Sequence, residues 1–177
     1  MRRLPILAAA LLATVMPTTL LAETVDAGMP APGWTMSDAE GREITFPADA
    51  AGRPSILFFW ATWCPYCHAV MPFLQGIVED YAEHGLTVYA LDFRDDGDPV
   101  GYMAEHGYDF VVLPLGDLVA DDYGVISSPG LLVVDGAGMV TWRRRATRAP
   151  PGTAIAQVWD QQIREALDRI LGLPGAR

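Results

Sequence analysis

Two cysteines stand three apart in a chain of 177 residues, in the run Trp63-Cys64-Pro65-Tyr66-Cys67, and there is no third. Residues of this type at this spacing can do three kinds of chemistry. They can exchange a disulfide with another thiol, hold half of a zinc site, or take a c-type haem, because His68 completes a Cys-x-x-Cys-His pattern. Zinc needs further ligands, which a chain with no other cysteine and three histidines does not offer at zinc spacing. A haem would consume both cysteines as thioethers, with His68 as axial ligand and Met71, Met103 or Met139 as the second. As a mere staple the pair would close a loop too short to constrain the unfolded chain, so its value is chemical.

The elements around the pair favour disulfide exchange. Ser55 to Trp60 is a continuous apolar run, as expected of a strand covered on both faces, and it ends at the motif. A haem pocket would displace that strand. From Pro65 to about His84 the apolar residues Val70, Leu74, Ile77, Val78 and Tyr81 fall at helical spacing, with Gly85 as the stop and Pro72 as an expected early kink. Cys64 therefore stands where a helix begins. Unpaired backbone N–H groups and the positive end of the dipole favour its thiolate there, which makes Cys64 the attacking sulfur. Cys67, one turn on and less exposed, is placed to resolve a mixed disulfide. Pro65 suits the first helical turn, where its missing N–H costs nothing.

Further elements alternate along the chain. Short strands are predicted at Trp34 to Met36 and Ile44 to Phe46, with a buried strand at Leu86 to Phe93. A helix over Pro99 to His106 precedes a strand at Phe110 to Leu113 and a helical turn at Asp117 to Tyr123. Gly130 to Asp135 and Met139 to Arg143 read as a hairpin across Gly136-Ala137-Gly138, and Thr153 to Leu171 as an amphipathic helix. This pattern predicts an α/β domain, a central mixed sheet flanked by helices. Trp60, Trp34 and Trp159 are expected in its core. Asp95, Asp96 and Asp98 read as a polar turn, since calcium-loop spacing is absent.

Residues 1–22 read as a signal peptide, with Arg2 and Arg3 before an apolar stretch and Leu20-Leu21-Ala22 as the cleavage site; an uncleaved anchor is the alternative reading. One domain, residues 23–177, follows, and it is expected in the periplasm. The net charge is −10 and there is no lysine, which excludes nucleic acid and anionic membrane surfaces as partners. Arg143, Arg144, Arg145 and Arg148 form the one basic cluster and read as a solvated strand end rather than an anion site.

Three segments together resemble the TlpA-like branch of the thioredoxin superfamily: Phe59 to Cys67, Met71-Pro72, and Gly124-Val125-Ile126-Ser127-Ser128-Pro129-Gly130 before a strand ending Val134-Asp135. The resemblance covers nearly the whole chain after the signal. It implies a thioredoxin-like fold with added N-terminal strands and a central strand and helix insertion, active as a monomer without cofactor or metal. It further implies a cis peptide bond before Pro129, lying against the active-site disulfide, with Ser128 and Pro129 as substrate-binding residues and Trp63 as an exposed platform. Its partners would be a cysteine-containing exported protein, with apocytochrome c one example, and a thiol-disulfide electron donor in the membrane.

The chain departs from the family at two positions. Where many relatives carry a buried acid before the motif it has Phe58, and where many carry a glutamate after it, Val70. Each such acid could take a proton from the resolving cysteine, so the proton acceptor here is unassigned. The reductant implied by the family competes with three other functions: an oxidant of DsbA type, a peroxidase of the related peroxiredoxin group, and a non-catalytic assembly module.

Overall fold

The computed structural model describes residues 24–146 and 148–174; the expected signal peptide lies outside them. A five-stranded sheet runs through the molecule in the order β5-β4-β3-β6-β7, formed by Val111–Leu113, Thr87–Asp92, Ser55–Trp60, Gly130–Val134 and Val140–Arg143. β3 pairs in parallel with β4 and antiparallel with β6, so the sheet is mixed, as the resemblance implies. A separate two-stranded sheet, β1 (Trp34–Ser37) with β2 (Glu43–Phe46), covers one face. The helices are α1 (Pro65–Asp80), α2 (Pro99–His106), α3 (Asp117–Asp122) and α4 (Ile155–Leu171).

All six residues of β3 are buried because both its faces are covered. Ile56, Phe58 and Trp60 pack with Cys67, Val70, Met71, Leu74 and Ile77 of α1 and with Trp159, Ile163 and Leu167 of α4. Leu57 and Phe59 point the other way, into a core shared with Trp34, Phe46, Leu91 and Tyr123. Trp34 stacks on Phe46 with ring centroids 5.1 Å apart, and both meet Tyr89 edge-on, which fastens the small sheet to the large one.

Differences from the expected elements are local. α1 stops at Asp80 rather than His84, and the chain finishes in a 3₁₀ turn over Ala82–His84 closed by Gly85 at φ 67°. Pro72 lies inside α1 and does not end it. The strand β3 that a haem pocket would displace is present. Among the described residues, no helix is long and apolar enough to cross a membrane.

Candidate active site

The apolar ladder of β3 delivers the chain to the end of the sheet, where Cys64 caps α1. It has extended backbone angles of −89° and 104°, and Pro65 follows at the start of the helix. Cys64 and Cys67 are joined as a disulfide with their Cα atoms 5.2 Å apart. The Cys67 N–H points to the Cys64 sulfur at 3.1 Å, a bond that would strengthen if that sulfur carried charge. Both sulfur-bearing residues are buried in this oxidised state.

One wall of the site is the loop after β4. Asp95 takes the Thr62 N–H at 2.5 Å, the Thr62 hydroxyl at 2.8 Å and the Gly97 N–H at 3.0 Å, fixing the residues just before Trp63. Gly97 is required here, because a Cβ on it would collide with the Thr62 hydroxyl. Arg94 adopts a left-handed φ of 53°. Its N–H donates to Asp117, and its carbonyl accepts the Trp63 indole N–H at 3.0 Å. Beneath this loop lies Asp92, 5% exposed, opposite Trp60 in the β3–β4 register, with one carboxylate oxygen unpartnered. Burial, a hydrogen bond shared with Asp95 and the charges of Asp95 and Asp117 raise its pKa to about 7. Burial also opposes ionisation of Asp95, but the Thr62 N–H and hydroxyl, Asp92 and the Gly97 N–H outweigh it and hold that carboxylate below its usual range.

The opposite wall comes from the chain before β6. The Ser128–Pro129 peptide bond is cis, as the resemblance implies. Pro129 is buried and Ser128 half-buried. Among the described residues, the backbone groups of Ser127 and Ser128 make no hydrogen bond within the chain, so they are open to an extended segment. A groove of about 400 Å³ runs beside them, bounded by Tyr66 between the cysteines, Pro129, Arg144, Ile155 and Trp159. Gly130, the next residue, is needed at the start of β6, where a Cβ would come within 2.7 Å of Val125 and 3.0 Å of Phe59.

The basic cluster is not the solvated strand end that its composition suggests. Arg143 is half-buried, and its guanidinium donates to the carbonyls of Val25, Tyr123 and Gly124 at 2.6 to 3.0 Å. Arg144 is half-buried with its guanidinium 5.2 Å from the Trp159 ring centre. Arg145 pairs with Asp26; it and Arg148 alone are exposed. Position in sequence hid this, because β7 ends against α4 and the N-terminal segment around Val25 and Asp26, which only the fold brings together.

The remaining expectations fall as follows. Trp63 is 59% exposed beside Cys64, whereas Trp60, Trp34 and Trp159 are buried. Phe58 and Val70 are fully buried among apolar residues, so neither supplies a proton acceptor. His68 is half-buried, stacked on Tyr102 at 4.8 Å, with its Nε2 unpartnered. Asp92 and Asp95 were not legible as site residues. The available signal was an acid ending an otherwise apolar strand.

Comparison with known proteins agrees with this geometry. The model of the AhpC/TSA family matches residues 27–143, well over half the chain. The chain belongs to the AhpC/TSA family. This AhpC/TSA protein is 31% identical over 151 residues to the thiol-disulfide oxidoreductase ResA of Bacillus anthracis, covering 84% of this chain and 79% of that one. It is 26% identical over 148 residues to the thiol:disulfide interchange protein DsbE of Pasteurella multocida, covering 81% and 76%. The thioredoxin domain of a thiol-disulfide oxidoreductase from Bacteroides vulgatus superposes with a TM-score of 0.67 at 18% identity, over 83% of this chain and 99% of that domain. That likeness carries the thioredoxin-like fold. This AhpC/TSA protein is accordingly a thiol-disulfide oxidoreductase of DsbE/ResA type, and its Cys64–Cys67 pair fits a redox-active site.

Proposed function

We propose that the protein is exported by its first 22 residues to the periplasm, where it acts as a monomer and reduces disulfides in another exported protein. A disulfide between the cysteines of an apocytochrome c is one such substrate, and a membrane thiol-disulfide partner renews the dithiol. The observation that carries the reading is the Cys67 N–H directed at the Cys64 sulfur at the start of α1, an arrangement that favours a thiolate. In the reduced protein the Cys64 thiolate attacks one sulfur of the substrate disulfide. The substrate S–S bond breaks, a mixed disulfide forms, and the first substrate sulfur leaves as a thiolate that takes a proton. Cys67 then loses its proton and attacks Cys64, closing the internal disulfide and releasing the second substrate sulfur. Two electrons have passed to the substrate. The backbone of Ser128, the Pro129 ring and the exposed Trp63 hold the substrate segment while this occurs.

Direction is tested by the reduction potential. A value near thioredoxin's, about −270 mV, supports the reductant; one near about −120 mV makes the protein an oxidant and overturns the reading. A Cys67→Ser variant should accumulate mixed disulfides with exported proteins through Cys64, and intact protein isolated from the periplasm should begin near Glu23.

A further inference from the structure

Arg144 is the one arginine whose setting neither the fold nor the exchange chemistry explains. It sits in the wall of the groove that also contains Tyr66, Ser128 and Pro129. Its backbone N–H joins the Leu131 carbonyl, and the aromatic face of Trp159 holds its guanidinium. Among the described residues it has no carboxylate partner, and its buried Nε has no acceptor at all. The contrast with the other arginines is direct. Arg42, Arg94, Arg145 and Arg164 each pair with an acid, Arg53 and Arg143 donate to carbonyls, and Arg148 and Arg169 are exposed to water, whereas Arg144 is half-buried. In a chain of net charge −10, acids to neutralise Arg144 are plentiful, yet none is placed there.

A guanidinium stays charged in a protein. Burial works against the charge of Arg144, as does the neighbouring Arg143. A carboxylate entering the groove would relieve both costs, since Arg144 lines it and the terminal nitrogens of its guanidinium have no hydrogen-bond partner among the described residues, leaving them for a charge-assisted pair. Trp159, which holds the guanidinium, also lines the groove, so the charge stands at the groove wall.

We propose that the groove selects substrate segments bearing a glutamate or aspartate close to the reactive cysteine, with Arg144 as the specificity-determining residue. This rests on the reading of the protein as an oxidoreductase acting on polypeptides. The backbone of Ser127 and Ser128 aligns the extended segment, Tyr66 and Trp159 border its side chains, and Arg144 reads the acid.

The test uses the full-length mature protein and three disulfide-containing peptides that differ only in a Glu, Gln or Lys beside the cysteine. Exchange with neutral 2,2′-dithiodipyridine reports the cysteine chemistry alone. The wild-type protein should favour the Glu over the Gln peptide about tenfold in kcat/KM, the Lys peptide being poorest. In Arg144→Gln the three peptides should become equivalent while the dithiodipyridine rate is unchanged, and Arg144→Lys should recover part of the preference. A wild-type protein indifferent to the peptide charge, or a preference that survives in Arg144→Gln, overturns the proposal. Failure to act on any peptide while dithiodipyridine is still consumed overturns the polypeptide-substrate reading, and this proposal with it.

Discussion

The two walls of the active site are built in opposite ways. On the β4 side, acids hold the site together: Asp95 grips Thr62, Asp117 takes the N–H of Arg94, whose carbonyl holds Trp63, and Asp98 caps α2. On the β6–β7 side, arginines do the holding, with Arg143 clamping three carbonyls and Arg144 lining the groove. The acidic wall, one oxygen of Asp92 apart, spends its hydrogen bonds within the chain and holds the loop that carries the disulfide. The basic wall leaves Ser127, Ser128 and the Arg144 guanidinium edge without partners. One wall positions the sulfurs, and the other has bonding capacity to spare for a second molecule.

The basic wall is the easier to collapse. In Arg143→Leu, the carbonyls of Val25, Tyr123 and Gly124 lose their donors while staying partly buried, and orphaned acceptors cost more than a hydrogen bond gains. Chemical denaturation should show a loss of about 3–5 kcal/mol. Arg143→Lys should recover only a part of it, because one ammonium cannot span three acceptors in a plane. A variant as stable as the parent would show that the clamp contributes nothing.

Breaking the acidic wall should cost less stability and more chemistry. Asp95→Ala removes the acceptor of two Thr62 bonds and one Gly97 bond at a half-exposed site, a loss of about 2 kcal/mol. Thr62 and the turn that carries Cys64 would no longer be held, so exchange should slow several-fold toward dithiodipyridine and peptides alike. A rate that falls for peptides alone would assign Asp95 to the other wall's function.

Much of this division was hidden from the sequence. The strand run, the helix start at Pro65 and the hairpin at Gly136 are written in local patterns of apolar residues, turn glycines and a helix-starting proline, so the fold and the Cys64–Cys67 pair were legible. The roles of most of the acids and arginines depend on contacts between distant positions, 23 apart for Arg94 with Asp117 and 118 apart for Arg143 with Val25. No local period records those. The Asp95–Asp98 run reads as a polar turn because Thr62, the partner of Asp95, comes beside it only when β3 and β4 lie side by side. The arginine run looks solvated for the same reason.

Asp92 sharpens the comparison through pH. Its folded pKa of about 7 lies above the ordinary aspartate value of 3.8, so the folded chain binds more protons than the unfolded one between these values. Stability should therefore fall as pH rises from about 4 to about 7 and then level off. Asp95 acts in the opposite sense: its lowered pKa contributes stability above pH 3.8 that is lost only in stronger acid. Asp92→Asn keeps the shape and donates to Asp95 at every pH. It should stabilise the protein by about 1–2 kcal/mol at pH 8 and have little effect near pH 4. Equal slopes for both proteins in urea denaturation across this range would remove Asp92 from the account.

The smallest stability effect belongs to the residue that stands between the walls. Trp63 is 59% exposed and held by a single solvent-accessible bond to Arg94, so Trp63→Ala should shift stability by no more than about 0.5 kcal/mol. Its rate with dithiodipyridine should stay close to that of the parent, because the Cys67 N–H still faces the Cys64 sulfur. Peptide substrates should react several-fold more slowly, through a higher KM, if the indole is the platform that the free backbone of Ser127 and Ser128 faces across the disulfide. A large loss of stability would instead make Trp63 part of the acidic wall's scaffold, and the asymmetry between a wall that holds and a wall that receives would then extend to the tip of the active-site loop.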